Sequence, residues 1–383
     1  MSAQYELGQV PRILVGPDSL SSLLPVFWGW ETLSIVLIAD QAVVDSGYTQ
    51  KIKATLKKYP VGEHIVPAGE PTVDSVNAAA LFARSYPRAV VIGVGGGSAL
   101  DTAKQAAAIV PSHQGIEHYL LGANPFPGRR HLIAIPTTAG TGAEVTRTCI
   151  VSDSSGRKMW TWGNELLPDA VILDAAVTAT VPATITASTG LDAFAHALEA
   201  NTGQRKSAIS SAAALQAIRL VRRHLPSAVR NPQDLEARAA LQQAALLAGT
   251  AIDNSGTGIA HCIGHALGTL YKLPHGIAVT VALEASLEWN IAGASEVYKD
   301  AADLFHVKPH DLPTAFKKLL EDSHFVDAVR TVKDLSLDAN AIAETMNAPE
   351  NQPMLLNNAR AVSDMDRLEL AKATVLAWHR IRA

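Results

Sequence analysis

The run RAVVIGVGGGSALDTAK (residues 88–104) decides how the first half of the chain folds. An apolar stretch rich in Val and Ile runs into the glycines Gly95, Gly96 and Gly97, and an Ala-rich segment follows. Apolar runs of this length with β-branched residues read as strands buried on both faces, as in a parallel sheet. The helix formers beyond the glycines predict a helix over 99–110. A glycine turn between strand and helix brings backbone N–H groups and the positive helix end to bear on a phosphate. Glycine allows the close backbone approach this needs, and Ser98, Asp101 and Lys104 add polar groups just beyond. The spacing is not the G-x-G-x-x-G of the ordinary dinucleotide fingerprint. A plain turn at a strand end therefore stays open as a reading.

Outward from this run, SIVLIAD (34–40), HLIAIPTT (131–138) and AVILD (170–174) repeat the strand pattern. Helices are expected over 47–59 and 73–86, with Asp74 as the cap of the second. Strands alternating with helices predict an α/β layer. SDSSGRKMWTWGNE (152–165) reads as turn and loop, and of its two tryptophans at least one is expected in packing. IPTTAGTGAEVT (135–146) is a second polar loop at a strand end, with hydroxyls on Thr137, Thr138 and Thr141. Loops at the C-terminal ends of strands in one sheet share the edge where α/β proteins bind ligands. Asp40 ends its strand, where it could accept hydrogen bonds from a ribose diol and disfavour NADP, or simply cap a helix.

After Pro182, Val and Ile give way to Ala and Leu at helical spacing, as in SSAAALQAIRLVRRHL and LEARAALQQAALLAGTAI. The expected organisation is an α/β domain over 1–182 and an all-helical domain over 183–383. A chain of 383 residues has the length for two domains. Its net charge of -4 argues against nucleic acid or an anionic membrane as partner. Two cysteines form no disulfide framework, the first residues, Glu6 among them, lack a signal-peptide pattern, and no apolar run is long enough for a membrane span. The expectation is a cytoplasmic enzyme whose partners are small molecules and other subunits.

The helical half carries the chemistry. In GLDAFAHAL (190–198), Asp192 and His196 are four apart and emerge on one helix face. His261 and His265 in GIAHCIGHALG repeat the spacing on a second helix, and His275 follows at a loop-to-helix start. A buried aspartate costs several kcal/mol unless it is paired or metal-bound. An Asp192–His196 ion pair would meet that cost, and so would a divalent cation gathered from two helices. One carboxylate with imidazoles suits Fe²⁺ or Zn²⁺. Cys262 points about 100° away around its helix, so it is expected in the core.

Jointly, GGGSALDTAK, PTTAGTGAEVT, LLPDAVILD, TGLDAFAHALEA, GIAHCIGHALG and PHGIA resemble the iron-containing (group III) alcohol dehydrogenase family, in the family's order over roughly residues 90 to 280. The resemblance implies a dinucleotide-binding α/β domain, a helical metal-binding domain, and an active site between them. It implies Asp192, His196, His261 and His275 as ligands of Fe²⁺, with Zn²⁺ the alternative. It places Asp40, Gly95, Gly96, Gly97, Ser98, Thr137, Thr138, Thr141 and Lys158 around NAD, with Asp101 in the same loop, and His265 beside the nicotinamide and substrate as a positioning or proton-relay group. It implies a small alcohol and its aldehyde or ketone as substrates, Lewis-acid assistance by the metal, and a homodimer or higher homo-oligomer. Two departures touch the substrate pocket: Ala143 where many members carry serine, and PHGIAVTV where many have an Ala-Asn pair. The rival readings are a metal- and NAD-dependent lyase resembling dehydroquinate synthase, a maleylacetate reductase-like enzyme, and an idle NAD- and metal-binding subunit. Arg147 keeps the lyase in view, since it could serve an acidic group.

Overall fold

A computed structural model describes residues 7–27 and 29–383, so residues 1–6, Glu6 among them, lie outside the described residues. The strands are β1 (Arg12–Val15), β2 (Ser34–Asp40), β3 (Val61–Val66), β4 (Ala89–Gly95), β5 (Leu132–Pro136), β6 (Thr148–Ser152), β7 (Lys158–Trp162) and β8 (Ala170–Leu173). Six of them form one parallel sheet in the order β1-β8-β5-β4-β2-β3. Along β2 the side chains alternate between two cores: Ile35, Leu37 and Ala39 enter one, Val36 and Ile38 the other, and all are fully buried. Both faces are covered, as the unbroken apolar runs require.

The helices of this part are α1 (Leu23–Val26), α2 (Gln41–Asp45), α3 (Tyr48–Thr55), α4 (Val73–Arg84) and α5 (Gly97–Ile109). The cap of α4 is Thr72, not Asp74: Thr72 and Ser75 bond reciprocally, and Asp74 falls inside the first turn. Its charge there faces the positive helix end. The segment 152–165 is not all loop, because β7 pairs antiparallel with β6. Met159 and Thr161 turn inward and the alternate Trp160 and Trp162 outward, a period-two pattern that the tryptophans mask. Neither tryptophan is in the core; Trp162 is exposed, with the Arg147 guanidinium 5.4 Å from its ring centre.

The chain divides into two units. Gln9–Thr138 and Gly142–Thr180 form one, and Ala139–Thr141 with Val181–Ala383 form the other. Gly8 joins the second through its N–H, which donates to Asn254 Oδ1 at 2.8 Å. Beyond β8 every regular element among the described residues is helical: α6 (Ala183–Thr202), α7 (Ala208–Arg230), α8 (Leu235–Ser255), α9 (Ile259–Tyr271), α10 (His275–Ala294), α11 (Lys299–Asp303), α12 (Leu312–Asp322), α13 (Phe325–Arg330), α14 (Ala339–Met346), α15 (Gln352–Asn357) and α16 (Asp364–Arg382), with short 3₁₀ turns between. Among the described residues no helix is long and apolar enough to cross a membrane.

Two glycines bring α6, α9 and α10 close. A Cβ on Gly264 of α9 would lie 2.7 Å from Val279 Cγ2 on α10. A Cβ on Gly276, the second residue of α10, would lie 2.5 Å from the backbone oxygen of Ser188 on α6. The three helices thus approach at distances only glycine permits, and Asp192, His196, His261 and His275 lie on these three helices.

Candidate metal centre

The i, i+4 spacing on α6 puts Asp192 and His196 on one face. His261 lies in the first turn of α9, and His275 is the first residue of α10, directly after Pro274, which cannot donate a backbone N–H and suits a helix start. One donor atom from each of the four residues falls within 4.8 Å of all the others. Asp192, His196 and His261 are buried, whereas the His275 side chain is 25% exposed, so the group opens on that side.

The distances separate an ion pair from a metal cage. Asp192 Oδ1 is 3.7 Å from His261 Nε2 and 3.6 Å from His275 Nε2, and Oδ2 is 3.8 Å from His196 Nδ1. None of these is short enough for a hydrogen bond. Two donors each about 2.1 Å from a shared cation stand about 3.4 Å apart at the tetrahedral angle, close to what is seen. His196 Nδ1 and His261 Nε2 are buried and have no hydrogen-bond partner, which is costly unless a cation takes their lone pairs. The Gly140 backbone accepts from the His196 ring, which leaves Nδ1 as the free nitrogen. Burial, and next the neighbouring His261, hold His196 well below the usual histidine range, so its ring is neutral and able to donate a lone pair. The residues present therefore fit a divalent cation.

His265 stands one turn past His261, its ring centre 5.8 Å from that of His275, and it is not one of the four. Cys262 is buried on another face, its Sγ 3.5 Å from the Met346 carbonyl oxygen. Glu199 is a site residue that the sequence reading does not single out. It is buried on α6, one turn after His196, and its Oε2 accepts from His261 Nδ1 at 2.6 Å. An acidic residue at i+7 from Asp192 was the available signal.

In the α/β unit, β2, β4 and β5 are neighbours, so Asp40, Gly95, Gly96, Gly97, Ser98, Thr137 and Thr138 gather at their C-terminal ends. Asp40 Oδ1 accepts from Val43 N–H at 2.9 Å as the cap of α2, and Oδ2 accepts from Gly96 N–H at 3.3 Å. Gly95 has φ +149°, and a Cβ there would be 2.5 Å from Asp40 Oδ2, so glycine is required. Thr137 N–H donates to Gly95 O at 2.9 Å. No side chain caps α5, whose first N–H groups point from a glycine turn. Asp101, on α5 just beyond the glycines, has inward contacts: Oδ2 accepts from Ile150 N–H at 2.8 Å, and Oδ1 lies 3.7 Å from Lys104 Nζ. Lys158 sits on β7 in an ion pair with Glu70, and Thr141 belongs to the helical unit.

A parallel α/β unit and a helical unit carrying a carboxylate–imidazole cluster suited to a divalent cation define the class of this chain. The chain belongs to the iron-containing alcohol dehydrogenase family: the family's profile matches residues 11–175, and that of its C-terminal part residues 186–375. It is similar to the probable alcohol dehydrogenase EutG of Escherichia coli, 33% identical over 304 residues that cover 79% of this chain and 77% of the relative. The NAD-dependent methanol dehydrogenase of Bacillus methanolicus is 31% identical over 73% of this chain and 74% of its own. The solved iron-containing alcohol dehydrogenase of Thermococcus thioreducens superposes with a TM-score of 0.88, at 26% identity, covering 97% of this chain and 100% of that one.

Proposed function

We propose that this chain is an NAD(H)-linked alcohol dehydrogenase that interconverts a small alcohol and its aldehyde or ketone. The observation that carries the reading is the convergence of donor atoms from Asp192, His196, His261 and His275 within 4.8 Å of one another. Held there, a divalent cation would supply Lewis acidity toward the substrate oxygen, with NAD as hydride carrier. Fe²⁺ is the metal we propose, as the family's name suggests, with Zn²⁺ suited to the same donors.

Each residue then has a task. Asp192 would contribute the one carboxylate among the four donors, and each of the three imidazoles would offer a ring-nitrogen lone pair. The Gly95–Ser98 turn offers backbone N–H groups to a pyrophosphate, and Thr137 and Thr138 border it. Asp40, at the end of β2, faces a ribose diol and disfavours a 2′-phosphate. Thr141 and Lys158 complete the proposed cofactor contacts. His265 is proposed to position substrate or hold a proton on an imidazole nitrogen. NAD as the cofactor is supported by this edge and by the name of the methanol dehydrogenase relative.

The lyase reading is not favoured, because the relatives are alcohol dehydrogenases and the α6 and α9 motifs are mostly apolar. Steady-state absorbance at 340 nm with alcohols and NAD⁺ decides between them: the dehydrogenase accumulates NADH, whereas the lyase recycles its cofactor and gives no change. A homodimer or higher homo-oligomer in the cytoplasm completes the proposal, with light scattering as the test of assembly.

A further inference from the structure

Asp192, His196 and Glu199 follow one another at i, i+4 and i+7 along a single face of α6. The first two point donor atoms at the cage; the third has a different set of neighbours. Glu199 Oε2 accepts from His261 Nδ1 at 2.6 Å and from Gly258 N–H at 2.8 Å, and Oε1 accepts from Ala260 N–H at 2.6 Å. Gly258 occupies the cap position of α9 and has no side chain to satisfy the exposed amides of the first turn. The acceptors come from elsewhere: Glu199, and Asn358, whose Oδ1 accepts from Ile259 N–H at 3.2 Å. The fit is close, since a Cβ on Gly258 would lie 3.0 Å from Asn358 Oδ1 and 3.1 Å from Glu199 Oε1.

We propose that Glu199 is a positioning residue that sets the metal affinity of the centre through His261. The inference rests on the reading that Asp192, His196, His261 and His275 hold a divalent cation. A carboxylate offers only lone pairs, so the His261 proton must lie on Nδ1. That choice leaves the lone pair on Nε2, the nitrogen 3.7 Å from Asp192 Oδ1. The same carboxylate also holds the backbone amides of Gly258 and Ala260, just ahead of His261, so ring and helix end move as one piece. Capping alone would not need the bond to the ring, and a carboxylate behind a ligating histidine both orients it and makes it a better donor.

The test uses the full-length protein stripped of metal, with Co²⁺ alone as the probe. In Glu199→Gln one carboxylate oxygen becomes an NH₂, which must face either the Ala260 N–H or the donors at the other oxygen. Chelator competition is expected to show Co²⁺ bound about 10- to 100-fold more weakly than in the wild type, with an altered visible spectrum of the bound ion. Asn358→Ala removes the other acceptor at the α9 N-terminus without touching His261, and should lower the melting temperature while leaving Co²⁺ affinity within about threefold. Equal Co²⁺ affinity and spectrum in wild type and Glu199→Gln would overturn the proposal, as would an equal loss in Asn358→Ala. Should Glu199→Gln not fold, ¹⁵N-histidine NMR of the metal-free wild type decides, since a proton on His261 Nε2 refutes the inference and one on Nδ1 supports it. A wild type that binds no Co²⁺ at all refutes the metal reading itself, an outcome distinct from the others.

Discussion

Replacing Gly276 with alanine puts a methyl group where α10 meets α6, one residue after a proposed ligand. The added Cβ would sit 2.5 Å from the Ser188 backbone oxygen and 2.9 Å from its carbonyl carbon. Backbone lies on both sides, so no rotamer change relieves the contact. Reaching an ordinary separation of 3.4 Å requires the start of α10 to retreat by about 0.9 Å, carrying His275 with it. Metal–ligand distances tolerate about 0.2 Å, so one of four donors is lost or strained. Two energies oppose each other in the metal-free protein. Overpacking costs about 1–3 kcal/mol, and glycine to alanine within a helix returns up to about 1 kcal/mol. The expected net is a modest loss of stability, with Zn²⁺ affinity at least tenfold weaker. Thermal melts in EDTA and competition for Zn²⁺ with a chromophoric chelator read the two effects separately. A variant that melts at or above the wild-type temperature and binds Zn²⁺ equally well would refute the claim that this crossing sets the position of His275.

Further outcomes follow from the same geometry. His261→Ala removes a donor and the Glu199 contact, so metal content and alcohol-dependent NADH formation should be lost while NAD affinity by calorimetry stays within about threefold. Asp40→Gly should raise the rate with NADP relative to NAD, and should cost only about 0.3 kcal/mol in denaturant melts through loss of the α2 cap, since glycine is itself tolerated at a helix N-cap; an unchanged cofactor ratio removes Asp40 from the specificity assignment. Burial raises the Glu144 carboxyl from 4.5 to about 7, against its own backbone hydrogen bond and Lys104. The folded state therefore binds this proton more tightly than the unfolded chain, and the stability it contributes is complete below about pH 4.5 and lost as pH rises through about 7. Glu144→Gln should flatten that part of the stability–pH curve, by up to about 1.4 kcal/mol per pH unit; parallel curves for the two proteins refute the assignment.

Strands buried on both faces were legible because nothing polar interrupts them: β2, β4, β5 and β8 all follow from their apolar runs. β1 is only four residues long, and β3 (VGEHIV) is an edge strand that tolerates Glu63 and His64, so neither shows the same pattern. β7 was hidden by two outward tryptophans. The passage of Ala139–Thr141 through the helical unit has no marker in composition, since it depends on Gly140 packing against the backbone and side chain of Thr189 on α6. At the candidate site, local spacing exposed Asp192, His196 and His261, because i, i+4 pairs in an apolar helix need a reason. Glu199 escaped because its partners begin 59 residues further along the chain. The inward contact of Asp101 with Ile150 was not legible because its place in the glycine-loop helix says nothing of which side of that helix it occupies.

The measurement nearest the central claim is a titration of metal against turnover. Protein purified anaerobically is stripped with chelator, reloaded stepwise with Fe²⁺, and assayed at 340 nm with an alcohol panel and NAD⁺. NADH formation rising linearly to a plateau at one metal per chain, and absent when His261→Ala is treated the same way, is the result expected. Full turnover in the stripped protein, or metal uptake that is unchanged in His261→Ala, contradicts the account.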